Sequence, residues 1–235
     1  MNTFVIRRAK VSDLGIVISL IDQAARWLRT MDTDQWRHPW PTRAGRVRRI
    51  AEDLKLGKTL IAWDNVTPAA TITIEYGRNQ NLPELWRPDD DGPAVSVHQV
   101  VVNRRYAGIR LGKALLEWAG REAAHYGMEW VRIDVWRTNE RLQGYYEDQN
   151  FKFVRYHDDK SYPSGALFQR RISDAAEVSR IALVMDTDTG PPPSPAHHHT
   201  GSPRPLVASC AQAPRSWELP GPLRATVPAT ERALR

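Results

Sequence analysis

Residues 103–113, Asn-Arg-Arg-Tyr-Ala-Gly-Ile-Arg-Leu-Gly-Lys, place two glycines, three arginines and one lysine where an apolar run gives way to a helical pattern. A strand leading through a glycine-bearing turn into a helix leaves several N–H groups without intrahelical acceptors. The helix dipole adds roughly half a positive charge at the same spot. Such a junction holds phosphate with little further help. Gly108 and Gly112 let the backbone come close to a ligand, and Arg104, Arg105, Arg110 and Lys113 supply charge around it. The alternative is a tight turn with a solvated basic rim. A Walker loop needs Gly-Lys-Ser/Thr, whereas residues 112–114 read Gly-Lys-Ala and offer no hydroxyl to magnesium. A dinucleotide fold needs Gly-x-Gly-x-x-Gly, and the spacing here is Gly-x-x-x-Gly. A coenzyme A pyrophosphate is the third phosphate ligand such a turn suits.

The elements around this turn follow from hydrophobic period. Residues 4–9 read as a strand. Ser12 is the expected N-cap of a helix carrying Leu14, Val17, Ile18, Ile21, Ala25 and Leu28 on one face. An aromatic loop over 30–42 leads to a second helix through Val47, Ile50, Ala51 and Leu54, closed by Gly57. Residues 59–64 and 70–76 form an antiparallel pair, and a polar loop over 77–93 precedes the strand 94–102. The helix after the turn shows Leu111, Leu115, Trp118, Ala119 and Ala123 on its apolar face and ends at Gly127. A strand over 129–136, a helix over 138–149 with Asn150 as a left-handed cap, and strands over 151–157 and 165–171 complete the order. The result is an α/β domain with one strand–helix–strand crossover, expected to be parallel.

The chain has 235 residues, but ten of its seventeen prolines lie at or beyond Pro191. Residues 1–172 are therefore expected to fold as one domain, 173–186 to form a possible short helix, and 187–235 to be a proline-rich disordered tail. The formal charge of +6 is scattered, with no zinc-finger spacing and no basic helix backed by heptads, so no nucleic-acid partner is expected. Cys210, the single cysteine, lies in the tail, which excludes an internal disulfide and points to a reducing compartment. The start has no signal core, and the longest apolar run, 14–21, is far shorter than the ~20 residues of a membrane span. A cytoplasmic protein without a membrane partner is expected. His197, His198 and His199 are adjacent in the tail and do not read as a ligand set, so no metal is expected.

Two segments in order, 97–119 and 131–151, resemble the acetyl-CoA segment and the following strand–helix–strand of the GNAT N-acetyltransferase superfamily. The family's turn is usually Arg/Gln-x-x-Gly-x-Gly/Ala. Here it reads Ala107-Gly108-Ile109-Arg110-Leu111-Gly112, so Ala107 and Arg110 depart from the pattern while the amide cradle remains. The resemblance implies a mixed, mostly antiparallel sheet with a splayed parallel strand pair and helices on both faces. It also implies an acyltransferase whose co-substrate is acetyl-CoA. Arg105, Lys113 and the residues from Ala107 to Gly112 would meet the pyrophosphate, and Val100, Val101 and Val102 the pantetheine arm through main chain. Asn139 and Tyr146, seven apart on one helical face with Leu142 between, also fall on the cofactor side.

Acetyl transfer to an amine requires a base, stabilisation of the carbonyl oxygen, and a proton for the leaving thiolate. The family places its general-acid tyrosine at the position of Tyr146, with Tyr145 as the rival. For the base, His98 on the entering strand and Glu75 on the preceding one are the candidates, beside ordered water. With no cysteine before residue 210, attack is expected to be direct, in a ternary complex. Trp27, Trp36 and Trp40 with Asp32 and Asp34, and Trp86 with Asp89, Asp90 and Asp91, would suit a cationic amine, with Glu75 beside it. A small-molecule amine is the leading acceptor, ahead of a peptide or protein amine. A non-catalytic acyl-CoA-binding or DNA-associated module is the third reading. A monomer or homodimer is expected.

Overall fold

The computed structural model describes residues 2–77, 85–87, 90, 92–175 and 181–186. The tail 187–235, with Cys210 and the three adjacent histidines, lies outside the described residues, as do Asp89 and Asp91. β1 (Asn2–Arg8) leads through a 3-10 turn to α1 (Leu14–Leu28), followed by α2 (Arg43–Lys55) and the hairpin β2 (Thr59–Asp64) and β3 (Thr67–Tyr76). β4 (Ala94–Val102), α3 (Leu111–Ala124) and β5 (Trp130–Val135) form the crossover. α4 (Glu140–Glu147), β6 (Lys152–Tyr156), β7 (Ala166–Arg171) and β8 (Ile181–Met185) complete the order.

One eight-stranded sheet runs β6-β7-β5-β4-β3-β2-β1-β8, with β4/β5 and β1/β8 parallel and the other pairs antiparallel. Strand alternation sorts the two faces. Ile6, Leu60, Ile72, Val95 and Val131 meet α3 through Leu111, Leu115 and Leu116 on one side. On the other side, Ile61 and Val101 meet α1 and α2 through Val17, Leu20, Ile21, Ile50 and Leu54. Each fully buried Leu, Ile or Val of this kind favours the fold by roughly 1.5–3 kcal/mol over its exposed state.

Two local expectations are corrected. The described residues of 173–186 hold no helix of the expected kind: Ile172–Asp174 make a 3-10 turn, and Ile181–Met185 are strand β8, which runs beside β1 from Asn2↔Ile181 to Ile6↔Met185. A five-residue apolar run fits either state, and the open edge of β1 decides for the strand. Nor does Ser12 cap α1. Asp13 stands at its N-cap position, and its side chain closes the preceding 3-10 turn instead, Oδ2 accepting the Lys10 N–H at 2.9 Å.

The site is shaped by one irregularity in β4. Gln99 has φ 50, and the pairing with β3 jumps from Thr73↔His98 to Thr71↔Val101, so β4 holds one extra residue. Such a bulge bends its strand. Pairing with β5 runs from Ala94↔Trp130 to Val97↔Ile133 and stops, although both strands continue. The backbone edge of residues 98–102 that faces away from β3 is thus left without a strand partner.

Candidate active site

A cavity of about 510 Å³ opens at this splay, between α1 and α2 on one side and β4, β5 and α4 on the other. That volume lies within the usual range of small-ligand sites, about 300–1,000 Å³. Val100, Val101 and Val102 line it where the β4 backbone is unpaired. The turn over residues 103–113 meets the cavity through Arg104 and Gly112. Asn103 fixes that turn by accepting the Arg105 N–H at 3.1 Å and donating to the Pro68 carbonyl at 3.0 Å. Tyr106 anchors it from below, donating to Asp64 at 2.9 Å and packing edge-on to Phe4.

Gly108 has φ +83 and nothing within 4 Å of an added Cβ, so it is there for its backbone conformation, on an open face. Ala107, Gly108 and the side chain of Arg105 are exposed; Ile109 and Lys113 are half-buried. Ala114 closes the first bond of the α3 ladder, to the Arg110 carbonyl at 3.1 Å. The N–H groups of Leu111, Gly112 and Lys113 therefore have no intrahelical acceptor and face the end of the helix, as an anion site requires. Leu111 offers only this N–H, because its side chain is core. Arg110 is exposed and left-handed at φ 65, which explains why the family pattern favours glycine there. A Cβ at Gly112 would come 3.2 Å from the Tyr145 hydroxyl, so this glycine admits Tyr145 to the helix end.

Tyr145 and Tyr146 both line the cavity. Tyr146 packs edge-on against Phe151 and Tyr145, and burial, with Tyr145 and Asp134 nearby, holds its hydroxyl well above the usual phenol range. It stays protonated at neutral pH, as a proton donor must. Asn139 caps α4, accepting the Leu142 N–H at 3.0 Å, and donates to Gln35 at 2.5 Å. Its polar atoms thus position α4 and the α1–α2 loop from the cavity wall.

His98 lines the cavity on the same sheet face as Asp134, and α2 brings Asp53 to them. Burial opposes an imidazolium at His98, but Asp53, Asp134 and Glu75 outweigh it and hold the ring above its ordinary value of 6.5. Burial likewise pushes the Asp134 carboxyl up, against the pull of His98, of the Tyr162 hydroxyl at 2.5 Å, and of Arg49. Glu75 does not line the cavity: it lies two register steps along β3 from the partner of His98, and its carboxylate meets Lys58 Nζ at 2.5 Å. A buried cation takes the charge that a base or an acceptor anchor would need, so Glu75 reads as scaffold.

Trp27, Trp36 and Trp40 line the cavity, and Trp136 joins them. The carboxylates expected between them do not. Asp34 accepts from Trp136 Nε1 at 2.8 Å and from the Thr138 hydroxyl, which clasps the α1–α2 loop to the β5–α4 connection. Asp32 is exposed and outside the cavity. Trp86 is core beside Leu85 and Tyr162, and Asp90 pairs with Arg155 at 2.8 Å. The carboxylates actually present, Asp53 and Asp134, were not singled out from the sequence. Each left a signal: Asp134 interrupts an apolar strand, and Asp53 sits beside Leu54, three residues after Ile50 on the core face of its helix. Among the described residues no helix is long and apolar enough to cross a membrane, and no cluster of three metal-ligating side chains occurs.

The model of the acetyltransferase (GNAT) family matches residues 22–151, more than half of the chain. An uncharacterized N-acetyltransferase of Bacillus subtilis, YesJ, is 22% identical over 146 residues, covering 62% of this chain and 80% of that protein. A GNAT-family acetyltransferase from Listeria monocytogenes superposes with a TM-score of 0.58 at 24% identity, covering 72% of this chain and 94% of that one. The PaiA N-acetyltransferase of Thermoplasma acidophilum, solved with coenzyme A, superposes with a TM-score of 0.53 at 16% identity over 71% of this chain and 97% of that one. The strand splay, the turn at the head of α3 and the family match agree: the chain belongs to the GNAT acetyltransferase family, and is an acyltransferase with acetyl-CoA as co-substrate.

Proposed function

We propose that the protein moves the acetyl group of acetyl-CoA to a primary amine of a small molecule by direct attack in a ternary complex. The observation that carries this reading is the cavity itself. It is walled by Trp27, Trp36, Trp40 and Trp136, holds His98, Asp53 and Asp134 inside, and ends at the unpaired β4 backbone and Tyr146. Aromatic walls with buried carboxylates favour an alkylammonium. The Asp34 clasp across the two loops favours a closed acceptor over an extended peptide.

The chemistry follows from these positions. His98 takes a proton from the bound ammonium, and the freed nitrogen pair attacks the thioester carbonyl. The N–H groups of Val100–Val102 that lie on the edge away from β3 face the developing oxyanion, that of Val101 being turned to Thr71, and one such donor is worth about 10²–10³-fold. As the tetrahedral centre collapses, the C–S bond breaks. Tyr146 protonates the thiolate and regains a proton from the amide nitrogen. The net products are the amide, the free thiol and one proton released from His98. The pyrophosphate sits at the N–H groups of residues 111–113, with Gly108 at the open edge and Arg105, Arg110 and Lys113 nearby.

Calorimetric titration of the full chain with acetyl-CoA, beside Gly108→Glu, tests the cofactor half of this reading. Binding by the wild type that the variant loses supports it. A thiol-release assay over a panel of small amines and lysine peptides tests the acceptor half, and transfer confined to peptides overturns it.

A further inference from the structure

Asp53 is a charged group the fold keeps 2% exposed while giving it almost nothing to hold it. Its Oδ1 accepts no hydrogen bond among the described residues, and its ion-pair partner among them is His98, with Nε2 3.7 Å from Oδ2. The cations that could have served it are turned elsewhere. Arg49, one turn earlier on α2, donates to the Trp40 carbonyl at 2.8 Å and lies over the Trp40 ring. Lys58 pairs with Glu75. His98 is equally uncommitted, since its Nδ1 makes no hydrogen bond among the described residues. A separation of 3.7 Å is too long for a hydrogen bond to a neutral ring, yet close enough for strong attraction once the ring is charged. A buried carboxylate in that setting is best satisfied when the imidazole carries a proton.

We infer that Asp53 is a positioning residue for proton transfer: its carboxylate holds the imidazolium that forms when His98 takes the proton of the acceptor ammonium. The N–H bond of the ammonium breaks, a new N–H bond forms on His98, and the electron pair stays on the amine nitrogen. This inference rests on the reading of His98 as the base. The groups around the ring divide by role. Asp53 and Arg49 approach from α2, Asp134 from β5, Glu75 from β3 with Lys58 from the turn before β2, and Tyr146 and Tyr162 from α4 and the 157–165 connection. Asp134 is held by Tyr162 and Glu75 by Lys58, which leaves Asp53 as the carboxylate that depends on the charge of His98.

Two readouts on the full chain test this. The first is the NMR titration of the His98 ring, assigned by the signal lost in His98→Gln. The second is the pH profile of kcat/KM with a small amine. Asp53→Asn is expected to lower the His98 midpoint by about one pH unit or more. The acid limb of kcat/KM should move down by the same amount, and Asp53→Glu should restore both. An unchanged midpoint overturns the pairing, whatever the activity. A lowered midpoint with an unmoved acid limb shows that His98 is not the base and overturns its role in proton transfer. Absence of transfer to any small amine is a separate failure, of the acceptor reading, and leaves the NMR midpoint to decide the pairing.

Discussion

Glu117 and Asp53 are two carboxylates of nearly equal burial, 3% and 2% exposed, on helices packed against opposite faces of the sheet. Their surroundings differ completely. Glu117 accepts from both terminal nitrogens of Arg170, at 2.8 and 3.4 Å, and Arg170 also donates to the Gln149 carbonyl at 2.9 Å and lies over Phe151. That pair ties α3, β7 and the end of α4 together, and so fixes where Tyr146 sits relative to the head of α3. Among the described residues Asp53 has no such set of donors, and it faces a titratable ring across a cavity. A buried charge with its donors in place is scaffold; one left short of donors beside a cavity marks chemistry.

The largest expected effect tests the scaffold half. Glu117→Gln leaves Arg170 buried without its counter-charge and should cost about 3–5 kcal/mol of folding stability. The measurement is the urea midpoint at unchanged slope, and a loss below about 1 kcal/mol would break the comparison. Next comes the cavity. Tyr146→Phe should lower kcat about 100-fold, with KM and thermal midpoint little changed, because only a hydroxyl is removed. Equal activity in steady-state kinetics would remove Tyr146 from the mechanism.

A smaller effect sharpens the contrast directly. Near pH 8, Asp53→Asn should change stability by less than about 1 kcal/mol, or raise it, since a poorly held charge is replaced by a neutral group of the same shape. A loss comparable to that of Glu117→Gln would make Asp53 scaffold as well. The smallest effect is the pH dependence of stability. His98 is held above its unfolded value of 6.5, so the folded state binds its proton more tightly than the unfolded chain does. The stability this contributes is full below about pH 6.5 and is lost as pH rises through the folded pKa. Denaturant midpoints of wild type and His98→Gln across that range should therefore differ most at the acid end and converge at the alkaline end.

Local pattern alone was enough for much of this protein. The turn at 103–113 was legible because strand, glycines and helix start are neighbours in sequence, and Gly108 and Asn150 adopt the positive φ their types favour. That Tyr146 and Asn139 would share one wall was legible from their helical spacing, and both line the cavity. Other features depended on contacts between distant segments. Whether residues 181–185 become helix or strand is decided by the free edge of β1, nearly the whole domain away in sequence. The bulge at Gln99, which opens the β4–β5 splay, carries no glycine to announce it. Glu75 and His98 look alike as bases on adjacent strands until Lys58 is seen to neutralise one of them. Asp53, on a helix between two core residues, acquires its meaning only when folding brings it 3.7 Å from an imidazole 45 residues further along the chain. Sequence period determines which residues share a face, because it follows from backbone geometry; the charges that a face meets are supplied by other segments and are decided only when the chain packs.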